Sequence, residues 1–262
     1  MKRLAIIAAL ATLAVAAPAA AVVTTFASFG PISGANLRFV NSGTGASRAN
    51  DAVYYTTATP TGTVAGAVSV NFSFLNSALS PFVTNVTSLY RLDAVVAKGS
   101  PAQLLGSLLV QGGISGTFSY LTTSAITVSG PGFVTTTYAA GSNLLSGSFS
   151  NASILATNGG TSGSSFASGL IGTNISFTSD FLLFAPGSGL DRSTTFTSIT
   201  AASAVAANGA LRSFRTVTGG TYSADPVPRA VSAVPEPANW IMLIAGFALV
   251  GVSARRNRAV AA

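Results

Sequence analysis

Val68, Val70, Phe72 and Phe74 alternate with Ser69, Asn71 and Ser73. A period of two sends successive side chains to opposite faces of a strand, so this run has one face for a core and one for water. Tyr90, Leu92, Ala94 and Val96 repeat the pattern against Leu89, Arg91, Asp93 and Val95. Phe118 with Tyr120, Ile126 with Val128, and Ile175 with Phe177 do so more briefly. Turn signals fall between such runs at Gly112-Gly113, Gly130-Pro131-Gly132, Asn158-Gly159-Gly160 and Pro186-Gly187. Asn208-Gly209 reads as a two-residue hairpin, because both residues accept positive φ. No long amphipathic helix is legible in the interior. The expected fold is all-β: an antiparallel β-sandwich, jelly-roll-like in one form. An outer-membrane barrel also alternates, but it calls for strands of about 9–11 residues and for aromatic girdles, which are not evident.

Only 7% of the residues are charged, against roughly 25% in an ordinary soluble domain. The net charge of +7 is spread over the chain. Lys2, Arg3, Arg255, Arg256 and Arg258, less Glu236, carry part of it, and the interior cations and acids are scattered. There is no basic stripe for phosphates to follow, which argues against nucleic acid as a partner. The chain has no Cys and no His. It therefore lacks disulfides, the commonest transition-metal ligands and the commonest general base. No Asp-rich loop offers a Ca²⁺ site. Ser is abundant, but no nucleophile elbow has a His partner. Asp180 and Asp191 are the one candidate carboxylate pair for a hydrolase, and Asp191 with Arg192 could equally be a local ion pair. No catalytic, cofactor-binding or metal-ligating residue is assigned.

The two ends carry the sharper signals. Met1-Lys2-Arg3 precedes the uncharged apolar run 4–17, and Ala19-Ala20-Ala21 follows with small residues. That is the layout of a secretory signal peptide over residues 1–21, with Ala19 and Ala21 at the cleavage site for signal peptidase. The apolar run is short for a spanning helix, which needs about 20 residues. At the other end stand Pro235, Glu236, Pro237 and Trp240, an uncharged stretch from Ala238 to Ala254, then Arg255, Arg256 and Arg258. The prolines favour an extended backbone. The apolar stretch would make about 25 Å of helix at 1.5 Å per residue, with Trp240 at one interface and a cytoplasmic basic stop at the other.

This tail resembles the PEP-CTERM sorting signal, in its PEPxxWA variant. Ile241 stands where that variant has Ala, and Asn257 interrupts the Arg cluster. The resemblance covers residues 235–262. It implies recognition by an exosortase-type membrane enzyme that cleaves near Pro-Glu-Pro, a precursor held in the inner membrane through its C-terminal helix, and an envelope tied to exopolysaccharide in a Gram-negative bacterium.

The organisation expected is a signal peptide, a β-rich extracytoplasmic domain over 22–224, a linker over 225–234 and the sorting tail. The passenger is expected to be a non-enzymatic surface or extracellular-matrix protein. The alternative is a polysaccharide-binding module with Tyr54, Tyr55, Tyr120 or Tyr138 as stacking platforms, which requires those rings to lie exposed.

Overall fold

The structure is a computed structural model describing residues 24–229, apart from 35, 43–49, 60–61, 130–134, 170–172 and 186–188. The signal peptide, Pro235, Glu236, Pro237, Trp240, Arg255, Arg256 and Arg258 lie outside the described residues. So do the turn signals at Pro131-Gly132 and Pro186-Gly187.

The strands are β1 (Thr24–Pro31), β2 (Leu37–Asn41), β3 (Asn50–Thr56), β4 (Val68–Phe74), β5 (Val86–Ala97), β6 (Ala102–Leu105), β7 (Leu108–Thr122) and β8 (Ile126–Val128). They continue as β9 (Thr136–Tyr138), β10 (Asn143–Thr157), β11 (Gly163–Ser168), β12 (Asn174–Thr178), β13 (Leu182–Leu183), β14 (Asp191–Thr200), β15 (Phe214–Ala224) and β16 (Val227–Pro228). The architecture is all-β, and every named pairing is antiparallel.

Twelve of the strands form one sheet that returns on itself. β1 pairs with β4 and β2 with β3, so they make a hairpin of two interrupted strands. One edge of β5 takes β4 and then β3, and the other takes β7. One edge of β15 takes β1 and β2, and the other takes β14. β7, β10, β11 and β14 close the circuit. Each run therefore neighbours the next along the chain. That is an up-and-down order, which corrects the jelly-roll form: a jelly roll needs Greek-key crossings, and the short connections here join adjacent strands instead.

Alternation explains the wall. Val68, Val70, Phe72 and Phe74 are buried, as are Tyr90, Leu92, Ala94 and Val96, and all belong to one core. The intervening Ser69, Leu89, Arg91 and Asp93 face outward. A lipid-facing barrel would need an apolar outer band, whereas the large apolar side chains that are exposed here, such as Leu89, Leu104 and Phe166, stand among Ser, Thr, Asn and charged residues. Among the described residues no helix is long and apolar enough to cross a membrane. Interior packing is close: a Cβ on Gly147 would lie 2.0 Å from the Ser176 carbonyl oxygen and 2.9 Å from Phe118 Cζ. Only glycine leaves room there for the Phe118 ring.

Two turn signals come out differently. Gly112-Gly113 lies inside β7, where the register against β10 slips and Gly113 has φ of +71°. It is a β-bulge, since glycine supplies positive φ to bulges as readily as to turns. Asn151 (φ +57°) marks an opposite slip in β10. At Asn208-Gly209 only Gly209 has positive φ (+80°), and its amide donates to the Ala206 carbonyl. The loop is thus a three-residue turn with an αL glycine, closed by the Val205–Leu211 bridge.

The two ends of the described chain meet at one end of the sheet, where Thr24 pairs with Ala224. Within the segment expected as a linker, Val227-Pro228 pairs with Leu183-Leu182. The Arg229 amide donates to the Phe181 carbonyl, and its Nε donates to the carbonyls of Ser179 and Leu182.

Candidate functional site

The wall is broken at one level. β1 and β2 are interrupted by residues 32–36, and β3 and β4 by residues 57–67. A break strands backbone groups of the neighbouring strands, and two side chains replace the missing partners. The Thr56 hydroxyl accepts from the Leu92 amide at 2.9 Å and donates to the Gly66 carbonyl at 2.7 Å. Asn36 Oδ1 accepts from the Thr218 amide at 3.0 Å. Above the break lies an open cavity of about 420 Å³, lined among others by Ser33, Asn36, Thr57, Ala67 and Ser69. Among the described residues no lining side chain is charged or aromatic.

Inside the sheet the structure holds a charge that sequence reasoning did not place there. Arg192 is 1% exposed. Its guanidinium carbon lies 5.1 Å from the Phe149 ring centroid and 5.7 Å from that of Phe118, and Nη2 donates to Tyr90 Oη at 3.4 Å. Nε and Nη1 have no hydrogen-bond partner. Burial alone would lower its pKa, but the phenols around it, Tyr90 first, outweigh that and push it up, so it stays charged. The readable signal was parity: Arg192, Thr194 and Phe196 share one face of β14, and all are buried. The same parity turns Asp191 the other way, so the alternative of a local Asp191–Arg192 ion pair is not realised.

The tyrosines expected as stacking platforms are mostly interior. Tyr54, Tyr55 and Tyr120 are buried, at 0%, 3% and 0% exposure. Tyr138 is partly buried, stacked on Phe181 at a centroid distance of 3.9 Å. A buried ring cannot offer its face to a sugar, so these side chains form no exposed row. Burial pushes the Tyr54, Tyr120 and Tyr222 phenols well above their ordinary value. Tyr54 Oη lies in the field of Arg192 yet forms no hydrogen bond of normal geometry.

Asp180 and Asp191 do different jobs. The Asp180 carboxylate accepts from the Asn143 amide at 2.7 Å while its own amide donates to the Asn143 carbonyl, which clamps that turn. Asp191 sits in β14, opposite Ser168 and Ser223. Among the described residues no group of three or more His, Cys, Asp or Glu is placed to hold a metal ion.

The outer wall carries a regular polar grid. Arg91, Ser119, Ser146 and Thr178 lie in register across β5, β7, β10 and β12, and Asp93, Thr117, Ser148 and Ser176 form the next rung. Hydroxyl pairs Ser146–Thr178 and Ser148–Ser176 are each 2.8 Å apart. Arg91 and Asp93 are 3.6 Å apart at one edge.

No known protein family, no curated protein and no solved structure matches this chain.

Proposed function

We propose that the chain is a non-enzymatic surface or extracellular-matrix protein, exported through its signal peptide and sorted by an exosortase-type enzyme through its PEP-CTERM-like tail. One sequence observation carries this reading: Pro235-Glu236-Pro237 and Trp240 precede an apolar stretch and an Arg cluster, in a chain whose residues 1–21 have the layout of a leader peptide. The passenger is compatible with that route. It has no Cys, so its folding outside the cytoplasm needs no oxidation. Its described ends, Thr24 and Arg229, lie at the same end of the sheet. A tail leaving there would let the opposite end project from the membrane. In this reading the closed sheet is flattened, with facing walls that pack across the core as the layers of a sandwich do.

Cell fractionation with and without the exosortase-type enzyme tests it. The precursor is expected to accumulate in the inner membrane when the enzyme is absent, and to move to the cell surface, outer envelope or matrix when it is present. An unchanged distribution would remove the basis for sorting.

A further inference from the structure

We propose that Arg38 and Arg215 hold a doubly charged tetrahedral oxyanion, phosphate or sulfate, between them on the outer wall. The two residues are direct partners where β2 pairs with β15. Leu37 and Phe39 on one strand, and Phe214 and Thr216 on the other, point into the core, so both arginines are turned to the outer face. Opposed side chains of an antiparallel pair stand about 5 Å apart at Cβ, and like charges placed there repel. Both residues are half-buried, so water and salt screen that repulsion only in part. Among the described residues no carboxylate lies within ion-pairing distance of either. Arg38 Nη1 donates to the Gly62 carbonyl, which leaves its other N–H groups to place. The Arg215 guanidinium has no partner among the described residues. An anion seated between the two turns the clash into an attraction.

The surroundings select the anion. Arg38 and Arg215 line a cavity of about 240 Å³ together with Thr200 and Ser213. Thr200 is the register partner of Arg215 on its other side. The Ser213 hydroxyl oxygen accepts from the Asn41 amide at 2.9 Å, so its proton is left to donate. Two cations and, among the described residues, no acid in the lining balance a dianion, whereas a carboxylate would leave one of them uncompensated. Guanidinium forks suit such oxygens, since each can give two parallel N–H bonds. Ala201 and Ser213 also line a second cavity, of about 660 Å³, which carries Arg212. A phosphate monoester therefore has room for the group it carries, so free anion and ester share this chemistry. Ala201 holds φ of +66°, a backbone state that non-glycine residues adopt rarely and that concentrates at ligand clamps. Binding here does not depend on how the tail is processed.

Isothermal titration calorimetry on the full chain in mild detergent tests this, at fixed ionic strength in sodium chloride and at about pH 8, where phosphate is a dianion. The probes are inorganic phosphate, inorganic sulfate, glucose 1-phosphate and acetate. Phosphate and sulfate are expected to bind saturably and to displace each other, and acetate is expected to displace neither. Glucose 1-phosphate is expected to bind at least as tightly as phosphate, which assigns the site to monoesters; weaker binding assigns it to the free anion. Arg215→Gln, which removes no hydrogen bond of the fold, should weaken phosphate about tenfold or more. In chloride alone the same variant should unfold at an equal or higher urea concentration than wild type, because it removes the repulsion, and saturating phosphate should reverse that order. No saturable binding of phosphate or sulfate, displacement by acetate, binding that survives Arg215→Gln, or lower stability of that variant in chloride alone overturns the proposal.

Discussion

The phenol oxygens of Tyr120 and Tyr222 lie 2.8 Å apart in the core, one on β7 and the other on β15, strands that do not pair with each other. The rings meet edge to face at 5.8 Å. This bond ties opposite walls together. Tyr120→Phe should leave the Tyr222 hydroxyl wanting a partner in a dry core, at a cost of about 1–3 kcal/mol. Tyr120→Phe with Tyr222→Phe should recover most of it, because neither partner is then stranded. Urea denaturation of the single and double variants measures both.

Alkaline pH should unfold the protein through its interior phenols. Burial holds Tyr54, Tyr120 and Tyr222 above their usual value, with Arg192 opposing this only in part. In the unfolded chain the same groups titrate near about pH 10. Above that pH the native state retains protons that the unfolded state has released, so stability falls as pH rises; below it these groups leave stability flat. A pH jump followed by tyrosinate absorbance should show at most a small fast phase, from the partly buried Tyr138, and a large slow phase that tracks loss of the strand signal. Rapid ionisation of all six tyrosines with the fold intact would contradict the buried placement.

Among the described residues no carboxylate pairs with the Arg192 guanidinium. Its desolvation is offset by two aromatic faces and one long hydrogen bond to Tyr90. Replacing a buried charge with an apolar side chain of similar length is often neutral or stabilising. Arg192→Met should therefore change unfolding free energy by less than about 1 kcal/mol or raise it, whereas Arg192→Glu should prevent folding by burying an unpaired anion. A loss above about 3 kcal/mol in the Met variant, the scale of breaking a buried charge pair, would mean the cation is held better than these contacts indicate.

Thr56 mends the β5 ladder where β3 gives way to the cavity. Thr56→Val keeps the shape and removes the hydroxyl, which leaves the Leu92 amide without the acceptor that now lies at 2.9 Å. The expected loss is about 1–3 kcal/mol. Faster hydrogen exchange at the Leu92 amide should accompany it, and unchanged exchange there would show that the hydroxyl is not its lock.

Period two was enough to identify the strands around 68–74 and 89–96, since one parity is buried in both and the other, Leu89 and Val95 included, is exposed or half-buried. Closure of the sheet was not legible. It rests on β1 meeting β15 and β5 meeting β7, and register between distant segments leaves no local mark. Gly112-Gly113 misled because a bulge and a turn ask the same thing of glycine. Tyr120 carried its own warning: it shares a face with Phe118, so an exposed role conflicted with the alternation that defined the strand. The cavity was hidden for a related reason. Asn36 and Thr56 lie in stretches that look like ordinary turn and strand residues, and only the pairing shows that they stand in for backbone.

The intact mass of the mature protein, compared between wild type and Glu236→Ala, bears most directly on the sorting reading. Pro235, Glu236 and Pro237 lie at the edge of the apolar stretch and contribute nothing to insertion, so a plain anchor should tolerate their replacement. An enzyme that reads an extended peptide should not. The expected wild-type product begins near Val22, ends near Pro-Glu-Pro and is found beyond the inner membrane. The expected Glu236→Ala product retains Ala262 and stays in the inner membrane. Equal masses that include Ala262 in both, in the same fraction, would contradict sorting and leave the tail as an anchor alone.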